Sequence, residues 1–263
     1  MKSVKTATTA TTNSLQEITV MARALNLKEI SLQLPEILDR AQQQNISYTQ
    51  LICEMLKKEL DARLEKRVVR SIKRSKVGIV EDLDSFDFSI RPQLHPHIIK
   101  ELCECRFIEE KRNILCLGKP GLGKTRIAKT IARSACLAGY SVLFVNTAKM
   151  LEDIHGSTAD GTYSRAMQRY TKPSLLICDE FGYEPFDKNA NKHLFRLVSI
   201  RHKTGSIILT SNTGFSRWKE LFPSEAAAAA TVDRLVDCAT ILRFTGNSSF
   251  RKADKVYGAK LEE

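Results

Sequence analysis

Gly118-Lys119-Pro120-Gly121-Leu122-Gly123-Lys124-Thr125 is the stretch whose reading decides the fold. It fits the spacing G-x-x-x-x-G-K-[ST], a loop whose backbone N–H groups cradle phosphate oxygens. The glycines let the backbone curl so that those N–H groups point inward. On one side lies the apolar run Asn113-Ile114-Leu115-Cys116-Leu117, which reads as a buried strand. On the other, Arg126-Ile127-Ala128-Lys129-Thr130-Ile131-Ala132 reads as a helix, whose N-terminus adds partial positive charge at the loop. In this reading Lys124 reaches the β- and γ-phosphates of ATP, and Thr125 holds Mg2+ through its hydroxyl. The candidate nucleotide-binding set is Gly118, Pro120, Gly121, Leu122, Gly123, Lys124, Thr125 and Arg126.

Downstream, Ser174-Leu175-Leu176-Ile177-Cys178-Asp179-Glu180 is an apolar strand ending in two acids. After a phosphate loop, such a strand reads as a metal and water site. Asp179 is the candidate Mg2+ ligand and Glu180 the candidate general base. Apolar runs at Ser141 to Val145, Ser206 to Asn212 and Ala239 to Phe244 supply further strands, with helices between them. Asn212, at the tip of its strand, either senses the γ-phosphate or caps the segment that follows. Strands alternating with helices predict an α/β fold with a five-stranded parallel sheet and the nucleotide at the strands' carboxyl ends.

Upstream, residues 1–14 are Thr-rich and polar and read as a disordered tail. Residues 15–78 read as a small all-α domain, with a helix beginning at Pro35 and a long helix after a Ser47/Gln50 capping box. Arg63, Arg67, Arg70 and Arg74 share one stripe of that helix. The stripe is either solvated surface or a surface that follows the phosphates of double-stranded DNA. Arg165 and Arg169 form a second candidate DNA contact, with ordinary surface charge as the alternative. Phe86-Asp87-Phe88 either plugs a seam between domains or lines an adenine pocket, with Phe88 the candidate contact. His97 to Arg106 reads as one helix. His95, His97, Cys103 and Cys105 do not match zinc-ligand spacing.

The 263 residues carry a net charge of +11, which favours a polyanionic partner. Seven scattered cysteines argue for a reducing compartment. No apolar run is long enough for a bilayer, and no secretory h-region opens the chain, so a cytoplasmic location and no membrane partner are expected.

The run from Phe86 to Arg251 resembles the IstB family, the ATPase helpers of insertion-sequence transposition. These are AAA+ proteins related to the helicase loader DnaC. The resemblance rests on Phe86-Asp87-Phe88, Asn113 to Ala128, Leu175 to Tyr183, Ser206 to Asn212, Asp233-Arg234-Leu235 and Gly246 to Arg251. It implies an ATPase domain over residues 79–250, followed by a basic tail at 251–263. It implies that Lys124 and Thr125 form the Walker A pair and Asp179 and Glu180 the Walker B pair. Asn212 matches the sensor asparagine, Arg234 an arginine finger that acts on a neighbouring subunit, and Arg251 the second sensor arginine. Without the resemblance, Arg234 reads as a local ion-pair partner of Asp233 or Asp237. Arg126 stands where the family often has His, Phe250 where it often has Tyr and Lys119 where Pro is frequent; none of these removes a catalytic group. The implied partners are duplex DNA, further copies of the chain in an ATP-dependent homo-oligomer, and a transposase. The alternative is a loader whose main partner is a replicative helicase, favoured if Leu51 to Leu64 expose an apolar patch.

Overall fold

The computed structural model describes residues 14–80, 83–89 and 93–246. The chain divides between Val69 and Arg70 into two compact units.

The first unit is helical. Helix α1 covers residues 14–24, α2 Lys28–Gln43, and the long α3 Tyr48–Ser75 begins in this unit. Ala22, Ile30 and Leu34 form its small core, with Leu15, Leu27, Leu38 and Met55 packed against them. The sequence led us to expect a helix beginning at Pro35, but Pro35 lies inside α2. A mid-helix proline loses one backbone hydrogen bond, at a cost of about 3 kcal/mol. Here the proline faces solvent while Ile30, Leu34, Ile37 and Ala41 on the opposite stripe are buried, and that packing carries the helix through. Ser47 accepts the Gln50 N–H at 3.3 Å at the start of α3.

In the second unit, among the described residues, five strands form one parallel sheet: β1 Asn113–Gly118, β2 Val142–Asn146, β3 Leu175–Phe181, β4 Ser206–Ser211 and β5 Ala239–Phe244. Their order is β2-β3-β4-β1-β5. Alternate residues feed two cores, one on each face. Ile114 and Cys116 of β1 pack with Ile127, Ile131 and Ala135 of α6 (Lys124–Leu137). Leu115 and Leu117 belong with Met150 and Ile154 of α7 (Thr147–Gly156) and Leu194, Leu197 and Val198 of α9 (Lys188–Arg201). A sheet covered on both faces explains why its strands read as continuous apolar runs. Helix α8 (Tyr163–Thr171) precedes β3, and the short α10 (Phe215–Trp218) and then α11 (Glu225–Val236) precede β5.

The expected helix from His97 to Arg106 is broken into α4 (Pro96–Cys103) and α5 (Arg106–Glu109). Cys105 sits at the break with φ 66° and is fully buried in the core. A left-handed residue stops one helix and starts the next in a new direction.

Candidate functional site

Because all five strands run parallel, β1, β2, β3 and β4 deliver their carboxyl ends to one edge of the sheet. Gly118 ends β1 with φ 153°, and a Cβ there would lie 2.1 Å from the Phe244 carbonyl oxygen of β5. Only glycine lets the loop leave the sheet at this point. Gly121 and Gly123 follow at φ 78° and 90°. Lys124, at the start of α6, is buried, and its Nζ donates to the carbonyls of Gly118 at 2.6 Å and Lys119 at 2.7 Å. The ammonium is thus folded back over the loop it belongs to.

Asp179 gathers the remaining groups. Its Oδ1 accepts the Thr125 hydroxyl at 2.9 Å and the Thr210 hydroxyl at 2.5 Å. The Thr147 hydroxyl donates to the Asp179 carbonyl at 2.8 Å. Glu180 lies at an irregularity in β3: Cys178 pairs with Leu209, but the next pair is Phe181 with Ser211. One extra residue is therefore accommodated on β3, and Glu180 takes φ 58°. The Glu180 N–H donates to the Thr210 hydroxyl at 3.0 Å, and Glu180 Oε2 accepts the Asn146 side-chain amide at 2.7 Å. Asn146 also caps α7, its Oδ1 accepting the Lys149 N–H at 3.2 Å. A cleft of about 440 Å3 opens beside Glu180, lined in part by Asn146, Glu152, His155 and Glu184.

The sequence reading missed Asn146, Thr147 and Thr210. Asn146 carries a detectable signal, being the polar end of an apolar strand directly before a helix. Thr210 carries none, because a threonine inside a strand is ordinary.

Other expected residues fall elsewhere. Asn212 follows β4 directly and is half-buried. Phe86 is buried in the core, Phe88 packs against that core, and the Arg126 guanidinium lies 5.4 Å from the Phe86 ring centroid and donates to the Ser85 hydroxyl at 2.5 Å. Arg234 does not pair with Asp233 or Asp237. It packs over the Phe195 ring at 4.9 Å and donates to the Ala230 carbonyl at 2.8 Å, while Asp237 pairs with His202 at 2.7 Å. Arg63 is bound within the first unit, to Glu59 at 3.0 Å and to the Asn26 carbonyl at 2.9 Å. Arg67, Arg70 and Arg74 are exposed along α3. Arg169 pairs with Asp153 at 3.2 Å, and Arg165 lies beside it on α8, exposed. Arg251 lies outside the described residues.

The strand order, with the phosphate loop after β1 and the acidic pair near the carboxyl end of β3, is the AAA+ P-loop arrangement that the resemblance implied. The IstB-like ATP binding protein family matches residues 20–257. The chain belongs to that family. Among IstB-like relatives, the ATP-binding protein of insertion sequence IS21 from Pseudomonas aeruginosa is 30% identical over 234 residues, covering 89% of this chain and 88% of that one. The corresponding protein of IS5376 from Geobacillus stearothermophilus is 33% identical over 204 residues, covering 78% and 81%. A crystal structure of a DNA replication initiation factor superposes with a TM-score of 0.50 at 16% identity. That match spans 63% of this IstB-like chain and 51% of the other, and shows the shared fold.

Proposed function

We propose that this IstB-like protein is an Mg2+-dependent ATPase of insertion-sequence transposition that assembles on duplex DNA and assists a transposase. The observation that carries the reading is the hydrogen bond from Thr125 to Asp179. It ties the phosphate loop to the acidic strand across the intervening β4.

The donor set suits a hard divalent cation: a threonine hydroxyl and an aspartate carboxylate, both oxygen ligands, beside a phosphate loop. Thr125 and Asp179 would hold Mg2+, which when bound supplies positive charge against the phosphate oxygens. The curled glycine loop and Lys124 bind the phosphates. Glu180 orients a water and takes its proton as the water oxygen attacks the γ-phosphorus. The bond to the bridging oxygen of ADP then breaks, and inorganic phosphate leaves. To serve this way, the Glu180 carboxylate gives up or shares the Asn146 amide, which occupies its Oε2.

Arg234 acts on the site of a neighbouring copy. Its support, beyond the resemblance, is that among the described residues this guanidinium has no carboxylate partner and rests on an aromatic ring. A cation held without a counter-charge is suited to an incoming anion. The net charge of +11 and the exposed Arg67, Arg70 and Arg74 support contact with duplex DNA. Ile52, Leu56, Leu60 and Leu64 are all exposed on α3. That apolar stripe favours a protein contact by the first unit, and the insertion-sequence relatives make a transposase the proposed partner ahead of a replicative helicase.

The test is the ATPase rate and particle size of the full chain, with and without duplex DNA, at two salt concentrations. DNA should raise both, and higher salt should suppress the rise, because phosphate contacts release counterions. A rate and size indifferent to DNA overturn the DNA part of the reading.

A further inference from the structure

We infer that Thr210 is a positioning residue of the hydrolytic site, its single hydroxyl setting the Asp179 carboxylate and the Glu180 backbone at once. The inference rests on the reading of Glu180 as the base.

The β-bulge creates the need for such a group. Between the pairs Cys178–Leu209 and Phe181–Ser211, the two acids Asp179 and Glu180 face the one residue Thr210. A bulge leaves the extra residue without its ladder partner. Here the Glu180 N–H finds the Thr210 hydroxyl at 3.0 Å instead of a carbonyl. The same hydroxyl donates a hydrogen bond to Asp179 Oδ1 at 2.5 Å. The hydroxyl therefore works as acceptor and donor together, and its geometry is determined at both ends. Ser211 anchors the far side of the bulge, donating to the Phe181 carbonyl at 2.8 Å. Glu180 is held at φ 58°, a conformation that costs a non-glycine residue energy and persists only where neighbours enforce it. That conformation decides which way the Glu180 side chain leaves the strand.

Thr210 is 1% exposed, so its hydroxyl serves the protein rather than solvent. It also lies two residues before Asn212, on the strand between β1 and β3. A displacement at the tip of β4 would thus reach both acids through one atom. The Asn146 amide holds the end of the Glu180 side chain while Thr210 holds its root.

The experiment compares Thr210→Val, Thr210→Ser and Thr210→Ala with the wild type and Glu180→Gln in the full chain. It measures kcat, affinity for a fluorescent ATP analogue, and the Mg2+ concentration giving half-maximal turnover, all with saturating duplex DNA. Thr210→Val keeps the volume and loses the hydroxyl, and Thr210→Ser does the reverse. Misplacing a catalytic group by about 1 Å costs on the order of 100-fold in rate, so Thr210→Val should lose about 10- to 100-fold in kcat. Its half-maximal Mg2+ should rise while ATP-analogue affinity stays within about twofold. Thr210→Ser should stay within about threefold of wild type. A packing role gives the opposite order, with Thr210→Val active and Thr210→Ser impaired, and that order overturns the inference. Should Thr210→Val fail to fold, Thr210→Ser and Thr210→Ala still differ by the hydroxyl alone, and equal rates from those two also overturn it. A wild-type rate in Glu180→Gln overturns the reading of Glu180 itself. A slow Glu180→Gln beside a full-speed Thr210→Val overturns only the role of Thr210.

Discussion

Lys124 and Glu180 are the residues on which the proposed chemistry turns, and each is held by contacts that ATP must displace or share. The Lys124 ammonium rests on the carbonyls of its own loop. Phosphate oxygens offer it a full negative charge instead, which makes a stronger, charge-assisted bond. Lys124→Ala should therefore abolish ATP-dependent assembly while the chain remains folded, as read by particle size with ATP and circular dichroism without it. Normal ATP-dependent oligomers from that variant would remove Lys124 from phosphate binding. Glu180→Gln keeps the shape of the side chain and removes its basicity. It should bind ATP as the wild type does and turn over slower by about 100-fold or more, the usual contribution of a positioned base. Both residues were legible in the sequence, because a phosphate loop and a strand ending in two acids are local patterns. Of the two residues that touch Glu180, Asn146 was marked only as the polar end of a strand before a helix, and Thr210 not at all, because nothing local shows a partner more than 25 positions away.

Among the elements, α2 and α3 are joined by a buried carboxylate, and α8, the turn leading into β3, and β4 by a buried guanidinium. Glu59 of α3 accepts the Glu29 N–H in the first turn of α2 at 2.8 Å, as well as Arg63 Nε. Burial pushes the Glu59 carboxyl up, but hydrogen bonds from Arg63 and from the N–H groups of Glu29 and Ile30 outweigh it and hold the group below the usual range. A carboxyl lowered by folding stabilises above its unfolded pKa and stops doing so as pH falls through its folded value. Glu59→Gln should therefore lower hydrogen-exchange protection of α2 by about 1–3 kcal/mol at pH 7. The difference from wild type should shrink as the buffer is taken below the glutamate range; a difference that does not change with pH would show that the charge of Glu59 is irrelevant. Arg201, fully buried at the end of α9, donates to the carbonyls of Tyr170, Thr171, Pro173, Ser174 and Ser206. Burial lowers its pKa to about 10, so it stays charged at neutral pH. A lysine cannot reproduce that planar fork. Arg201→Lys should cost about 3 kcal/mol or more in thermal unfolding, and a melting temperature equal to wild type would deny the clamp its role.

For the whole molecule, the question is what one copy leaves unfinished. Arg234 is packed on Phe195 and lies outside the hydrogen-bond network joining Thr125, Asp179, Thr210, Glu180 and Asn146. If it completes a neighbour's site, turnover is silent until copies stack, and ATP state and assembly become coupled. An arginine acting this way contributes about 1,000-fold or more in rate. Arg234→Ala should keep ATP-analogue affinity and lose turnover by that order. Mixing it with Glu180→Gln should restore part of the rate, since each variant supplies what the other lacks at a shared interface. Undiminished turnover in Arg234→Ala would return the residue to a packing role on α9.

The sequence by itself determined the phosphate loop, the acidic pair, the five strands and their alternation with helices. Each of these is written in neighbouring residues: glycine spacing, a lysine and threonine at a helix start, and apolar runs long enough to be buried on both faces. It also erred locally, at Pro35 and at Cys105, where packing of the flanking apolar residues outweighed the local signal. Only the tertiary structure decided the rest. The order β2-β3-β4-β1-β5 sets β4 between the two motif strands, and the register of β3 on β4 sets two acids against one threonine. Folding likewise paired Arg63 with Glu59, left Arg234 on an aromatic ring, and buried Arg201 among carbonyls from three segments. Cross-strand register and the burial of a charge are properties of segments far apart in the chain. They come into existence when those segments meet, and no spacing within one segment carries them.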